Sequence, residues 1–289
     1  MAFLEVRNLS HIFAQGTGDV RAAVKDISFS LNEGEILGII GHTGSGKSTL
    51  VTHLNGLIKP TSGEIFIEGF DIWDKPKEIR KIRSQVGLVF QYPEYQLFEE
   101  TVYKDIAFGP ANMGLSGEEL DATVKNAAKL MQIDDELLNK SPFDLSGGQK
   151  RRVAIAGILA MRPKVIVFDE PTAGLDPIGK ETIFKAICDY RDENNAVVII
   201  VSHSMEEIAA VCDKVLVLND GKLVSFGTTK EVFSEHEKLK SLGLNVPMIT
   251  NIFIELSKKY KGFNDLVLTL DDAVSLISPL IKKRREENA

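Results

Sequence analysis

The sequence predicts an α/β protein built on a parallel sheet, and three observations carry that reading. Apolar runs alternate with helical segments between Val165 and Leu218: VIVF from Val165, VVIIVS from Val197 and VLVL from Val215. That alternation is the mark of β–α–β construction. The run EILGII, from Glu35, passes through a glycine-rich loop into a helix starting near Lys47. Between Gln91 and Ala160 the strand signal disappears, so a helical insert interrupts the α/β core.

The elements follow in order. Two strand-like stretches, Phe3–Asn8 and Ala22–Leu31, are separated by a loop containing AQGTG, and the turn Asn32-Glu33-Gly34 leads into EILGII. EIFIEG from Glu64 and VGLVF from Val86 are further short apolar runs. Within the insert, Leu120, Val124, Ala127 and Met131 share one face of a helix running from about Glu118, and a second helix starts at Gln149 and passes through Ile155 and Leu159. Beyond Gly227, Ile249, Phe253, Leu256 and Tyr260 share a helical face. Thr269-Leu270-Asp271-Asp272 reads as a capping box before Ala273, Ile277 and Leu280. The closing KKRREENA reads as a solvated, fraying end.

Composition narrows the function classes. The 289 residues are 44% hydrophobic and 26% charged, which is ordinary for a globular chain with room for a sizeable core. A net charge of −7 argues against sequence-independent nucleic-acid binding, which needs a basic footprint. No apolar run approaches membrane-span length, and Glu5 and Arg7 interrupt the opening MAFLEVRNLS, so no signal peptide is expected. Cys188 and Cys212 fit no metal or redox spacing, and a reduced cytosolic protein is the expectation.

Three motifs carry chemistry. Gly41-His42-Thr43-Gly44-Ser45-Gly46-Lys47-Ser48 satisfies G-x-x-x-x-G-K-[ST] in full. Such glycines let successive backbone N–H groups turn inward around a phosphate, and the following helix adds its positive end. Lys47 is placed to reach the β- and γ-phosphates, and Ser48 to offer a hydroxyl to Mg²⁺. VIVFDE ends a buried strand on Asp169, the expected Mg²⁺ partner, and Glu170, which is suited to polarise an attacking water as general base. Leu145-Ser146-Gly147-Gly148-Gln149 puts a hydroxyl and glycine N–H groups at a helix start, a second anion-binding device.

On these residues the chain resembles an ATP-binding cassette (ABC) ATPase, from about Phe3 to Phe233. The resemblance implies a P-loop α/β core with a small antiparallel β region, a helical insert at about 92–160 and a C-terminal helical extension. The ATPase domain would then cover residues 1–233 and the extension 234–289. LSGGQ stands as the signature, with Ser146, Gly147, Gly148 and Gln149 gripping nucleotide, and Thr49 joins the phosphate-loop set. Gln91 lies at the lid-glutamine position and would meet the metal. Asp176, in Ala173-Gly174-Leu175-Asp176, lies in the loop that crosses to a partner subunit. His203 matches the switch histidine that contacts the γ-phosphate, and Phe13 lies where an aromatic stacks on adenine.

The segment from Gln91 to Gly114, His42 inside the phosphate loop, and VPMITNIFIELSKKY are similar to the second, or A-prime, ATPase of energy-coupling factor (ECF) importers. That likeness implies ATP and Mg²⁺ as cofactors and a second, paralogous ATPase subunit. It also implies an integral membrane coupling subunit with a substrate-binding membrane subunit, and a place on the cytoplasmic face of the membrane. The docking groove for the membrane partner would be Tyr92, Pro93, Glu94, Tyr95, Gln96, Leu97 and Phe98, an apolar centre rimmed by acids that suits a basic helix end. Two alternatives are another ABC importer and a soluble ABC ATPase acting on nucleic acid or ribosomes. The last predicts two cassettes or a long coiled coil, whereas the chain has one LSGGQ and no sustained heptads. A small-molecule kinase would leave LSGGQ and His203 without a task.

Overall fold

Side chains on alternate faces of one central sheet form two large cores among the described residues, and Phe253, Val267 and Ala273 form a small third one. The computed structural model describes residues 2–13, 21–75, 77, 79–260 and 266–287. Strands β1 (Leu4–Phe13), β2 (Arg21–Leu31), β4 (Ser62–Ile67) and β5 (Phe70–Asp71) form an antiparallel sheet in the order β2-β1-β4-β5. Strands β3 (Ile36–Gly41), β6 (Val86–Val89), β7 (Val165–Asp169), β8 (Val197–Val201), β9 (Lys214–Asn219) and β10 (Lys222–Thr228) form the second, in the order β10-β9-β3-β8-β7-β6. All its pairings are parallel except β9 with β10. Ile36, Ile40, Ile166, Phe168, Val198 and Ile200 point to the helical side. Leu37, Ile39, Val165, Val167, Val197 and Ile199 point to the antiparallel sheet. Strands buried on both faces read as unbroken apolar runs, which is why they were visible in the sequence.

Helix α1 (Lys47–Leu54) seals the seam between the sheets through Leu50, Val51 and Leu54, and α2 (Ile79–Gln85) precedes β6. The insert holds α3 (Val102–Asn112), α4 (Gly117–Leu130), α5 (Asp135–Leu138) and α6 (Gly147–Leu159), with α3, α4 and α6 in mutual contact. On α4, Val124 and Ala127 are buried and Met131 follows at the cap, the face that the spacing predicts. Helices α7 (Pro177–Asn194) and α8 (Met205–Val211) complete the α/β core. After them come α9 (Thr229–Ser234), α10 (His236–Ser241), α11 (Met248–Lys259) and α12 (Leu270–Glu287).

The structure corrects several expectations. The first strand runs to Phe13 rather than stopping at Asn8. Asn8 has φ 47° and sits in a register irregularity, where its N–H donates to Ser28 Oγ at 2.8 Å and its Nδ2 to Asp26 Oδ1 at 2.8 Å. A polar residue that reads as a strand end is a bulge. The half-exposed β10, KLVSFGT, lacks the apolar density of its neighbours and gave no strand signal. The 233/234 boundary falls inside α9, and Leu239, Leu244, Val246 and Ile254 join the main core. The α11 face is turned by about one residue. Thr250, Phe253 and Ile254 are buried, while Tyr260 is 57% exposed because the helix has already ended in extended backbone. Thr269 Oγ1 accepts from Asp272 N–H at 3.1 Å, capping α12. The AQGTG loop and the side chains of KKRREENA lie outside the described residues.

One buried ion pair ties the insert to the segment after β6. Arg151 on α6 meets Glu94 in a bidentate arrangement, Nε to Oε2 at 3.0 Å and Nη2 to Oε1 at 2.8 Å, with side chains 4% and 14% exposed. Burial pushes the Glu94 carboxyl up, but the hydrogen bonds and charge of Arg151 outweigh it and hold it below the ordinary 4.5. The pair's contribution is therefore complete above pH 4.5 and is lost as pH falls through the lower folded-state value. Arg151→Met, which strands a buried carboxylate, is expected to cost about 3–5 kcal/mol at neutral pH. Denaturant unfolding checks both points: the gap between wild type and Arg151→Met is expected to narrow below pH 4.5 as Glu94 takes up a proton.

Candidate functional site

The phosphate loop links β3 to α1 and can be made only with glycine at two of its turns. Gly46 has φ 102°, and a Cβ there would lie 2.4 Å from Ala23 O; at Gly41, φ 154°, it would lie 2.3 Å from Leu218 O. Lys47 Nζ donates to Gly41 O at 2.6 Å and to His42 O at 2.9 Å, which aims the ammonium into the bowl of the loop. Burial lowers the affinity of Lys47 for its proton, and the charges of Glu170 and Asp169 act against that lowering.

The parallel order β3-β8-β7 brings three strand ends side by side. Asp169 closes β7, and its Oδ2 accepts from Ser48 Oγ at 3.3 Å. Burial and then the Glu170 charge raise the Asp169 carboxyl above its ordinary 3.8, against the Ser48 hydrogen bond and the charges of Lys47 and His203. A hydroxyl beside a carboxylate that is costly to ionise fits a hard divalent cation, whose charge would reverse that cost. Glu170 follows in the left-handed region, φ 51°, held by its N–H to Val201 O at 2.9 Å. Gln91 Nε2 donates to Glu170 Oε2 at 2.9 Å, and His203 Nε2 lies 2.9 Å from Oε1. Backbone strain of this kind persists where surrounding contacts over-determine it.

Phe13, Thr43, Gly44, Gly46, Lys47, Ser48, Thr49, Gln91, Asp169, Glu170 and His203 line one open cleft of about 1080 Å³. Phe13 is 42% exposed there and stands edge-on to His11 at 4.4 Å. The remaining predicted residues lie elsewhere. The Ser45 side chain is buried behind the loop. The His42 ring turns away to Leu242 O, and its carbonyl accepts from Lys47 Nζ at 2.9 Å, but the residue itself does not line the cleft. Ser146, Gly147 and Gly148 are exposed, and Ser146 and Gln149 close a capping box at the start of α6 (Ser146 N–H to Gln149 Oε1, 3.0 Å). Asp176 caps α7, accepting from Gly179 N–H at 2.7 Å.

The segment after Gln91 departs from its predicted form. Tyr95 and Phe98 are exposed, Pro93 is buried, and Leu97 packs against the main core. Glu94 is no rim acid, because Arg151 draws it inward. Beside it lies an apolar groove of about 510 Å³, lined by Phe98, Phe108, Met113, Ile158 and Met161, with Arg80 and Arg83 also on its wall. Phe98 and Phe108 meet edge-to-face at 4.9 Å.

Sequence reading missed three supports. Asn219-Asp220-Gly221-Lys222 is a tight hairpin with positive φ at Asp220 and Gly221, a pattern visible in the Asp-Gly pair. Its Gly221 N–H donates to Ser45 O at 3.0 Å, bracing the phosphate loop. Arg151 also donates to Ala173 O at 2.5 Å, just past Glu170. Glu207 on α8 accepts from Ser202 Oγ at 2.9 Å, Thr172 Oγ1 at 3.1 Å and Lys180 Nζ at 3.0 Å, joining the segments of His203, Glu170 and α7. Only the fold brings those donors together, so no local pattern announces them. Glu207→Ala leaves the buried Ser202 and Thr172 hydroxyls without this acceptor and is expected to cost about 1–3 kcal/mol in denaturant unfolding, with Glu207→Gln closer to wild type.

Comparison with known proteins identifies the family. The ABC transporter family model matches residues 24–173. The energy-coupling factor transporter ATP-binding protein EcfA2 of Caldanaerobacter subterraneus is 56% identical over 270 residues, 93% of this chain and 94% of its own length. That of Clostridioides difficile is 48% identical over 281 residues, covering 96% and 98%. Among solved structures, cbiO1 from Clostridium perfringens, part of the ABC transporter complex cbiONQ, has a TM-score of 0.74 at 40% identity, over 87% of this chain and 98% of that one. A dimeric ATP-binding cassette in a post-hydrolysis state, bound to ADP and Pi, has a TM-score of 0.70 at 30% identity, over 78% and 98%. A phosphate loop, a paired Asp169–Glu170 strand end and near-full-length identity of this order place the chain in the energy-coupling factor transporter ATP-binding protein family of ABC ATPases.

Proposed function

We propose that this chain supplies one half of a two-chain ATPase, with a paralogous ATPase as partner, that powers micronutrient uptake through separate membrane subunits. Membership of its family makes it the ATP-binding, ATP-hydrolysing subunit of an energy-coupling factor transporter. The hydrolytic roles of its residues rest on one observation: Glu170 is clamped between Gln91 and His203 in a cleft that also holds Lys47. Lys47 and the loop N–H groups grip the phosphates. Glu170 takes a proton from the attacking water, and His203 steadies the γ-phosphate while Gln91 keeps the carboxylate in line. Ser48, Asp169 and Gln91 would hold Mg²⁺, which supplies charge neutralisation on the phosphate oxygens when bound.

The signature residues supply the reason for a second chain. Ser146, Gly147, Gly148 and Gln149 stand outside the cleft of their own chain, with exposed glycines at a helix start. An anion site with no phosphate of its own suits the nucleotide of a partner, and a solved relative at 30% identity is dimeric. No described helix is long and apolar enough to cross a membrane, so coupling needs a membrane partner docked at the groove beside Phe98 and Phe108, on the cytoplasmic face. The membrane subunits choose the substrate.

Glu170→Gln keeps shape and hydrogen bonding but removes the base. ATP binding is expected to survive, turnover to fall on the order of 10²-fold or more, and the ATP-loaded variant to accumulate as a two-chain species. Single-turnover kinetics with light scattering check this, and wild-type turnover would assign the base elsewhere. For the groove, Phe98→Ser combined with Phe108→Ser is expected to leave ATP affinity unchanged and abolish co-purification with the membrane subunits. Normal assembly would move the docking surface to another face.

A further inference from the structure

The chain from the end of α10 to the start of α11 hydrogen-bonds to two residues that stand behind the nucleotide cleft, His42 next to its phosphate loop and Glu206 just beyond His203. At one end, His42 Nε2 hydrogen-bonds to Leu242 O, and Gly243 lies beside the ring. Gly243 has φ 69°, which favours glycine, and a Cβ there would crowd the His42 ring, at 3.1 Å from Nε2 and 3.2 Å from Cε1. The carbonyl of the same His42 accepts from Lys47 Nζ at 2.9 Å. At the other end, Met248 N–H donates to Glu206 Oε1 at 3.1 Å. Glu206 stands in the first turn of α8, three positions after His203, and its Oε2 accepts from Ser204 Oγ at 3.3 Å. Between the two ends, Leu244 and Val246 are buried in the main core, so the segment is anchored at its middle.

We propose that residues 242–248 form a positioning strap that sets the phosphate loop, held at His42, against the helix that follows His203, held at Glu206. The strap makes the C-terminal extension part of the nucleotide site without touching nucleotide. One end reaches Lys47 through a single residue, and the other reaches the loop of His203 through one helical turn. His42 is a positioning residue acting through the backbone of the loop, which explains why an exposed wild-card position of the motif carries a hydrogen-bonding ring. The proposal rests on the nucleotide-site reading above.

The strap can be cut at either end in the full-length chain. His42→Ala removes the donor, whereas His42→Gln keeps an N–H of similar reach. Met248→Pro deletes the other donor at the first position of α11, where proline suits a helix. Pro247 already has the extended backbone (φ −49°, ψ 143°) that a following proline requires. Met248→Ala keeps the N–H and is the control. Equilibrium titration with a non-hydrolysable ATP analogue is expected to give a Kd raised about three- to tenfold in His42→Ala and in Met248→Pro, the net worth of one hydrogen bond. His42→Gln and Met248→Ala are expected to bind within about twofold of wild type, a pattern that general loss of stability does not produce. Wild-type affinity in both His42→Ala and Met248→Pro overturns the strap. So does a loss in His42→Ala that His42→Gln fails to restore while Met248→Pro is silent. Lys47→Ala keeps the two readings apart, since unchanged affinity in that variant would overturn the nucleotide site itself.

Discussion

The guanidinium of Arg151 is the point at which the functional segments meet. It takes both oxygens of Glu94, the carbonyl of Ala173 and, at 3.4 Å, the carbonyl of Pro171, and it lies 5.7 Å from the centre of the Tyr92 ring. One side chain on α6 thus joins the segment after Gln91, the turn after Glu170 and the helix that begins with the signature. A planar, permanently charged fork with five donors can do this, and a lysine cannot. Buried at 4% exposure, the pair has little water to exchange with, so its geometry is fixed. Arg151 is therefore one fixed link between the helical insert and the α/β core, beside the packing of α4 and α6 against α7 and of α6 against β6.

Strand order explains why a few short motifs suffice to build the cleft. With β3, β8 and β7 parallel and adjacent, Gly41, Val201 and Asp169 end on one edge of the sheet. The phosphate loop, His203 and the paired acids follow those ends directly. Ligands gather at the carboxyl ends of such strands because loops and helix N-termini converge there.

The features legible in the sequence were those where backbone geometry dictates residue type. Gly41 and Gly46 admit no side chain, and the two-sided burial of β7 and β8 forces unbroken apolar runs. What stayed hidden depends on distant partners. Arg151 and Glu94 are 57 positions apart and look like ordinary surface charges until the fold pairs them. Asn8 reads as a terminator because its bulge is stabilised by Ser28 and Asp26 on another strand. The motif G-x-x-x-x-G-K-[ST] fixes the path of the loop but leaves its wild-card side chains free, so the outward turn of His42 had no local signature. The inward turn of Glu94 was likewise invisible, since a loop acid next to aromatics reads as a rim.

The left-handed backbone at Glu170 has a consequence for anyone seeking a hardier version of this protein. A non-glycine residue held at φ 51° carries a conformational penalty of about 1–3 kcal/mol, and glycine would relieve it at once. A selection for thermal robustness alone would therefore favour removal of the very carboxylate that Gln91 and His203 surround. The backbone conformation and the carboxylate contacts thus pull this one position in opposite directions, and the residue present keeps the contacts with Gln91 and His203.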